Sequence, residues 1–266
     1  MKLNHHLTLF AAVASLCALC ACSGEKPYTI TGNIDLPEQI PYGDTLIDVP
    51  EFEGTWVYLM DFENQLLDSA QITGNTFKFT GKIKKKDAYF VHFASLFGSS
   101  LLVIEPGDIE VFINPDITIS GTPSNDAMSD IDAALENLNA DTYEYLAHLT
   151  DSMRAEGKDL PEDEQMKIAD EFSTAMNNIL DSAYHANRGN QAGAYAVVMR
   201  NMYVESADAF EEAMKAYPEE IRNNDLVQTN LRMMRQYEMF QQEEQHTIDP
   251  SLFGIEEGDA IESESK

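Results

Sequence analysis

The sequence predicts an α+β fold: an N-terminal antiparallel β-sandwich followed by a C-terminal α-helical domain. Two observations carry this expectation. From Tyr28 to about Gly121, short runs alternate apolar and polar residues and are broken by Gly, Pro and Asn, the period-two pattern of half-buried strands. After Gly121 the apolar residues step by threes and fours, the period of a helix. Strands in one half and helices in the other argue against an alternating α/β sheet.

The strand runs are Tyr28–Gly32, Thr55–Met60, Leu66–Ile72, Thr76–Gly81, Ala88–Phe93, Ser100–Ile104, Ile109–Ile113 and Ile117–Ile119. Phe77 and Phe79 fall on one face of their run, with Lys78 and Thr80 on the other. Thr73-Gly74-Asn75 is a short Gly/Asn loop and predicts a hairpin between the runs it joins. The stretch 36–54 holds Pro37, Pro41, Gly43 and Pro50 and reads as one long loop. Thr122-Pro-Ser-Asn125 starts the first helix and Gly157 stops it; Met128, Ile131, Leu135, Leu138, Tyr145 and Leu149 form its apolar stripe. A second helix starts near Pro161, which suits a first turn, with Ile168, Phe172, Ala175, Ile179 and Ala183 as its inner face. Further helices are predicted over 192–203, 207–217 and 224–245, the last with Val227, Leu231, Met234 and Met239 inward. Ala207, Phe210 and Ala213 before Pro218 match half of a tetratricopeptide unit, but no copy follows at a 34-residue period.

All three cysteines lie in Ser15–Gly24. Cys17 and Cys20 have C-x-x-C spacing, but no strand precedes them, as a redox motif requires. Lys2, a short apolar run over 7–21 and small residues before a cut site make a secretory signal. The run is shorter than the ~20 apolar residues of a membrane span. Leu19-Cys20-Ala21-Cys22 resembles the lipobox of bacterial lipoproteins. That resemblance implies a signal peptide over 1–21, lipid on Cys22, and a tether over 22–27. The expected remainder is a β-sandwich domain over 28–121, a helical domain over 122–248 and an acidic flexible tail over 249–266.

The chain carries 17 Lys and Arg against 46 Asp and Glu, a net charge of −29. Removing a leader that holds Lys2 and no acid leaves 16 cations against the same 46 acids. Such a surface repels nucleic acid and the anionic faces of membranes, and favours partners with basic patches. Beyond the lipidated Cys22 the remaining chain has no cysteine, so no thiol redox chemistry is expected of it.

The chemical motifs are missing. His92, His148, His185 and His246 have no metal-ligand spacing; no metal and no cofactor are expected. Ser23-Gly-Glu-Lys26 has the S-x-x-K spacing of penicillin-binding enzymes without their partner motifs. There is no nucleophile elbow and no phosphate-binding glycine loop. No catalytic residue is assigned. Tyr42, Phe52, Trp56 and Phe62 cluster in sequence around the 36–54 loop. Loop aromatics stack on ligands such as sugars, which makes these four the candidate ligand-binding residues.

Several short motifs occur in a fixed order: Tyr28-Thr-Ile-Thr-Gly32, Val57-Tyr-Leu59, Leu67-Asp-Ser69, Gly74-Asn-Thr-Phe-Lys-Phe-Thr-Gly81, Ile104-Glu-Pro-Gly-Asp-Ile109 and Ser120-Gly-Thr-Pro123. In that order they resemble the domain of unknown function 4369, which opens many envelope lipoproteins of Bacteroides-type bacteria. Asn187-Arg-Gly-Asn-Gln-Ala-Gly-Ala-Tyr195 resembles the entry into the middle helix of the longer relatives. In those a thioredoxin-like domain with its own C-x-x-C follows. Here about twenty residues follow the last helix, without cysteine, so that redox activity is not carried over. The resemblance implies an envelope location, lipid-anchored, in the outer membrane facing the periplasm, with cell-surface exposure as the alternative. Three functions follow from it and from the residues: a non-catalytic binding or scaffold module for an envelope protein, such as a separate thioredoxin-fold enzyme; glycan capture; or a hydrolase with an unrecognised cleft.

Overall fold

A computed structural model describes residues 24–42, 45–49, 51–114 and 116–247. Cys22, the other cysteines and the tail over 249–266 lie outside the described residues. The strands are β1 (Lys26–Ile34), β2 (Gln39–Tyr42), β3 (Thr45–Asp48), β4 (Trp56–Met60), β5 (Leu66–Gln71), β6 (Thr76–Ile83), β7 (Tyr89–Ser95), β8 (Gly98–Ile104), β9 (Gly107–Asn114) and β10 (Asp116–Ser120). The helices are α1 (Pro123–Ala155), α2 (Glu162–Ala186), α3 (Gln191–Arg200), α4 (Ala207–Met214), α5 (Glu219–Arg222) and α6 (Asp225–Thr247). The α+β class and the order of strands before helices are as the sequence predicts. No helix among the described residues is long and apolar enough to cross a membrane.

Two four-stranded sheets, ordered β10-β9-β1-β6 and β5-β4-β7-β8, face each other. Ile30, Phe77, Phe79, Ile109, Val111 and Ile113 from one sheet meet Val57, Leu59, Val91, Phe93, Leu102 and Ile104 from the other, all buried. Three features depart from the predicted pattern. β1 pairs in parallel with β9, so the first sheet is mixed rather than antiparallel. β5 and β6 are not a hairpin either: β5 pairs with β4 and β6 with β1. The turn itself is tight, with Gly74 at φ 58° and Asn75 at φ 61°, but it joins the two sheets. Alternation tells which face a strand buries, not which strand it pairs with, so Ile72 and Phe77 reach the same core from opposite layers. The predicted loop over 36–54 also contains the β2–β3 ribbon.

In the register of β1 and β6, Gly32 faces Phe77 and Gly81 faces Tyr28. An aromatic ring lies over each glycine: a Cβ on Gly32 would fall 1.9 Å from Phe77 Cζ, and one on Gly81 2.4 Å from the Tyr28 ring. Phe77 then stacks on Phe93 of the opposite sheet, with ring centroids 5.3 Å apart.

The chain divides into two compact units, 1–200 and 201–266. The division falls inside the helical stretch, because α1, α2 and α3 pack with one another and α1 packs on β10 and β8. In the second unit Ser206 caps α4, its Oγ accepting from Ala209 N–H at 3.1 Å. Phe210, Met214, Val227 and Leu231 are buried there. Met239, expected inward, is 62% exposed; the apolar pattern of α6 runs on past its last buried turn.

Candidate functional site

The sandwich hands over to the helices through a buried polar lock. The Glu105 side chain, buried just after β8, accepts from Ser124 N–H at 2.7 Å and from Ser124 Oγ–H at 2.9 Å. A carboxylate here serves the N-terminal turn of α1, whose first N–H groups have no helical partner. Asn125, 1% exposed, pairs with the free edge of β8: its Oδ1 accepts from Val103 N–H and its Nδ2 donates to Val103 O, both at 2.9 Å. One side chain thus satisfies a backbone donor and acceptor that the edge strand leaves open. Gln191, at the start of α3, donates from its backbone N–H to Ser124 Oγ and from Nε2 to Ala88 O. The first and third helices therefore begin at the same end of the second sheet.

From this lock α1 passes Leu101 and Asp116, where Asn125, Met128, Asp132 and Glu136 line a pocket of about 280 Å³ with β8 and β10. Its buried residues are Ser124, Asn125, Met128 and Ile131, all in the first third of its 33 residues. A helix of that length reaches ~50 Å, so the rest runs on beyond the sheet. Gly157, at φ 73°, ends it: Lys158 N–H bonds Met153 O and Gly157 N–H bonds Arg154 O, a Schellman closure. The chain then returns as α2.

Between the outer parts of α1 and α2 lies a groove of about 720 Å³. Leu146, Leu160, Ile168 and Phe172 line it, with Tyr143 at the rim, 73% exposed. Its surroundings are strongly acidic. Residues 123–186 hold 15 Asp and Glu against 3 Lys and Arg, and each of those three cations is within 4 Å of an acid of its own helix or turn: Arg154 with Asp151, Lys158 with Glu156, Lys167 with Glu164. An apolar groove with Asp159 in its lining, within so acidic a hairpin, suits a segment with one apolar and one cationic face. Sequence reasoning assigned Tyr145 and Phe172 to inner faces. Tyr145 is half exposed and Phe172 faces this groove. A stripe continuing through four or five turns was the available signal, since the sandwich could cover only the first of them.

The three candidate aromatics with described side chains each have different surroundings. Phe52 is half-buried and packs edge-on against Phe97, centroids 5.3 Å apart, closing the sandwich core. Phe62 packs edge-on against His92 at 5.1 Å. Trp56 is 48% exposed and shares its strand face with Tyr58. The side chain of Tyr42 lies outside the described residues. Among the described residues no group of three or more His, Asp or Glu side chains is placed to hold a metal ion.

A coupled pair that the sequence did not indicate joins α1 to α3: Tyr195 Oη–H donates to Asp132 Oδ1 at 2.5 Å. Desolvation holds the Asp132 carboxyl above the usual carboxylate range, and the bond from Tyr195 pulls it partway back. Burial, then the Asp132 charge and the shared hydrogen bond, push the Tyr195 phenol up. Asp132 is thus protonated more readily in the folded chain than in the unfolded one. Its contribution to stability is present below the unfolded value and is lost as pH rises through the raised folded value. Asp132→Asn keeps an acceptor for Tyr195 and removes the titration. Its thermal midpoint should match the parent at pH ~3 and exceed it increasingly toward pH ~7; parallel midpoint curves would contradict this assignment.

No curated protein and no solved structure matches the chain. One family model does, over residues 28–128. Its end falls beyond the sandwich, in the first turns of α1, and so includes Glu105, Ser124 and Asn125. The match takes in most of β1, the strands after it, the two glycine–aromatic pairs and the start of the first helix, and the family it matches is the Domain of unknown function (DUF4369).

Proposed function

We propose that this chain is a non-catalytic binding module of the cell envelope, anchored through lipid on Cys22 in the outer membrane and facing the periplasm. Its α1–α2 groove holds a cationic amphipathic segment of an envelope protein. The observation that carries this reading is the apolar groove within a hairpin where acids outnumber cations 15 to 3. The same charge disfavours two other occupants: a second copy, at net −29, and the chain's own acidic C-terminal stretch. A separate thioredoxin-fold protein is one partner of the required kind if it presents such a segment.

Affinity capture from envelope extracts tests the reading, using the parent and a Leu146→Asp/Phe172→Asp variant at low and high salt. A partner retained by the parent, lost with the variant and weakened by salt supports it. A partner indifferent to the variant overturns the groove assignment. Binding of soluble oligosaccharides that Trp56→Ala abolishes, with the fold intact, replaces it with the glycan reading. Turnover in a hydrolase screen removes the non-catalytic part. Cys22→Ala is expected to move the protein out of the membrane fraction, and its full retention there contradicts the anchor.

A further inference from the structure

Five of the six lysines of the sandwich are gathered at one end. Lys26 opens β1, Lys82 lies at the end of β6, and Lys84, Lys85 and Lys86 follow it. The register sets Lys26 opposite Ile83 and Pro27 opposite Lys82, so the five stand together at one end of the first sheet. They are five of the eleven lysines in a chain of net charge −29. Lys26, Lys82, Lys85 and Lys86 are exposed and Lys84 is half-buried. Glu25 and Asp87 are the acids adjoining them in sequence, and Asp108 stands beside Thr29 on the neighbouring strand. Among the described residues no ion pair engages any of the five. Lysines on an edge strand keep sheets from pairing edge to edge, which accounts for Lys78 and Lys82 on β6. Lys84, Lys85 and Lys86 lie past the last residue of that strand, Ile83, and protect no edge.

The chain enters the sandwich at this end. Lys26 is four residues after Cys22, and four residues span at most ~14 Å. That reach is not much more than the ~8–10 Å over which charges are felt in salt. We propose that this basic end is a membrane-facing contact: with the lipid of Cys22 inserted, the five ammonium groups meet the phosphates of anionic phospholipids around the anchor. The proposal rests on the anchor reading above and not on the groove. It also orients the molecule. α1 starts at this same end of the sandwich, beside Glu105 and Val103, and runs past Leu101 and Asp116 toward the other. With the lysines on the membrane, the acidic hairpin points away from it and its groove is presented to the periplasmic space.

The test uses the full protein purified from membranes and reconstituted into vesicles of phosphatidylcholine alone or with added phosphatidylglycerol. A water-soluble amine-acylating reagent reports the exposure of each lysine by mass spectrometry. The expected result is a several-fold drop in labelling at Lys82, Lys84, Lys85 and Lys86 in the anionic vesicles relative to Lys158, Lys167 and Lys215, reversed by high salt. A Lys84→Gln/Lys85→Gln/Lys86→Gln variant should float with the vesicles as the parent does and lose the drop at Lys82. Equal labelling in the two vesicle types, with the parent floating in both, overturns the proposal and leaves the anchor standing. Failure of the parent to float with either vesicle overturns the anchor and the proposal with it.

Discussion

Gly32→Ala is expected to destabilise the first unit by about 3 kcal/mol, at the upper end of what overpacking usually costs. The added Cβ would sit 1.9 Å from Phe77 Cζ and 2.0 Å from Cε1, so a ring or a backbone has to move. Phe77 has little room: it stacks on Phe93 at 5.3 Å and meets Phe79 edge-on at 6.0 Å, and it is 3% exposed. Gly81→Ala meets Tyr28 in the same way, but Tyr28 is half-buried at the end of the sheet and swings outward at lower cost. Urea unfolding should show the Gly32→Ala midpoint lowered with the slope unchanged. Gly32→Ala/Phe77→Leu should recover part of the loss. An unchanged midpoint for the single variant would refute the packing account.

The second large effect is expected at Glu105. Glu105→Ala removes the acceptor of two hydrogen bonds from Ser124, one of them from backbone N–H, at a buried site. Hydrogen bonds to a charged group contribute about 1.5–3 kcal/mol each when buried partners are otherwise left open, and a loss of about 3 kcal/mol is expected for the pair. The loss should be local first. Amide exchange should speed up over residues 123–131 and at the start of α3, where Gln191 N–H bonds Ser124 Oγ, while the inward strands keep their protection. Glu105→Gln, which keeps an acceptor oxygen, should lose less. Exchange rates over 123–131 equal to the parent's would show that Glu105 does not hold the helix.

Much of this architecture is legible in the sequence because it rests on local patterns. Alternation in Thr76–Gly81 gave the correct buried face, with Phe77 and Phe79 inward. Gly157 marked the end of α1 because only a left-handed residue closes that turn readily, and Pro161 marked the entry into α2. What escaped is what depends on partners far along the chain. The parallel pairing of β1 with β9 joins residues about eighty apart, and the turn at Gly74 looks the same whether its strands share a sheet or part into two. Glu105 was one of 46 acids, and nothing local distinguishes it from its solvated fellows; its role appears only when Ser124 is beside it. Periodicity placed Tyr145 and Phe172 on apolar stripes but not what those stripes face. Phe52 and Trp56 are near neighbours in sequence, but Phe52 packs on the sandwich core while Trp56 stands exposed on the outward face of β4, because the two faces of a strand point to different layers.

The central claim, that the α1–α2 groove is the docking site, is tested most directly by hydrogen exchange on the captured complex. Amides over 139–150 and 160–173 should exchange more slowly with the partner bound than without it, and the difference should shrink as salt is raised. Unchanged exchange there, with new protection instead on β4 around Trp56 and Tyr58, would contradict the claim and move the binding site to the outer face of the second sheet.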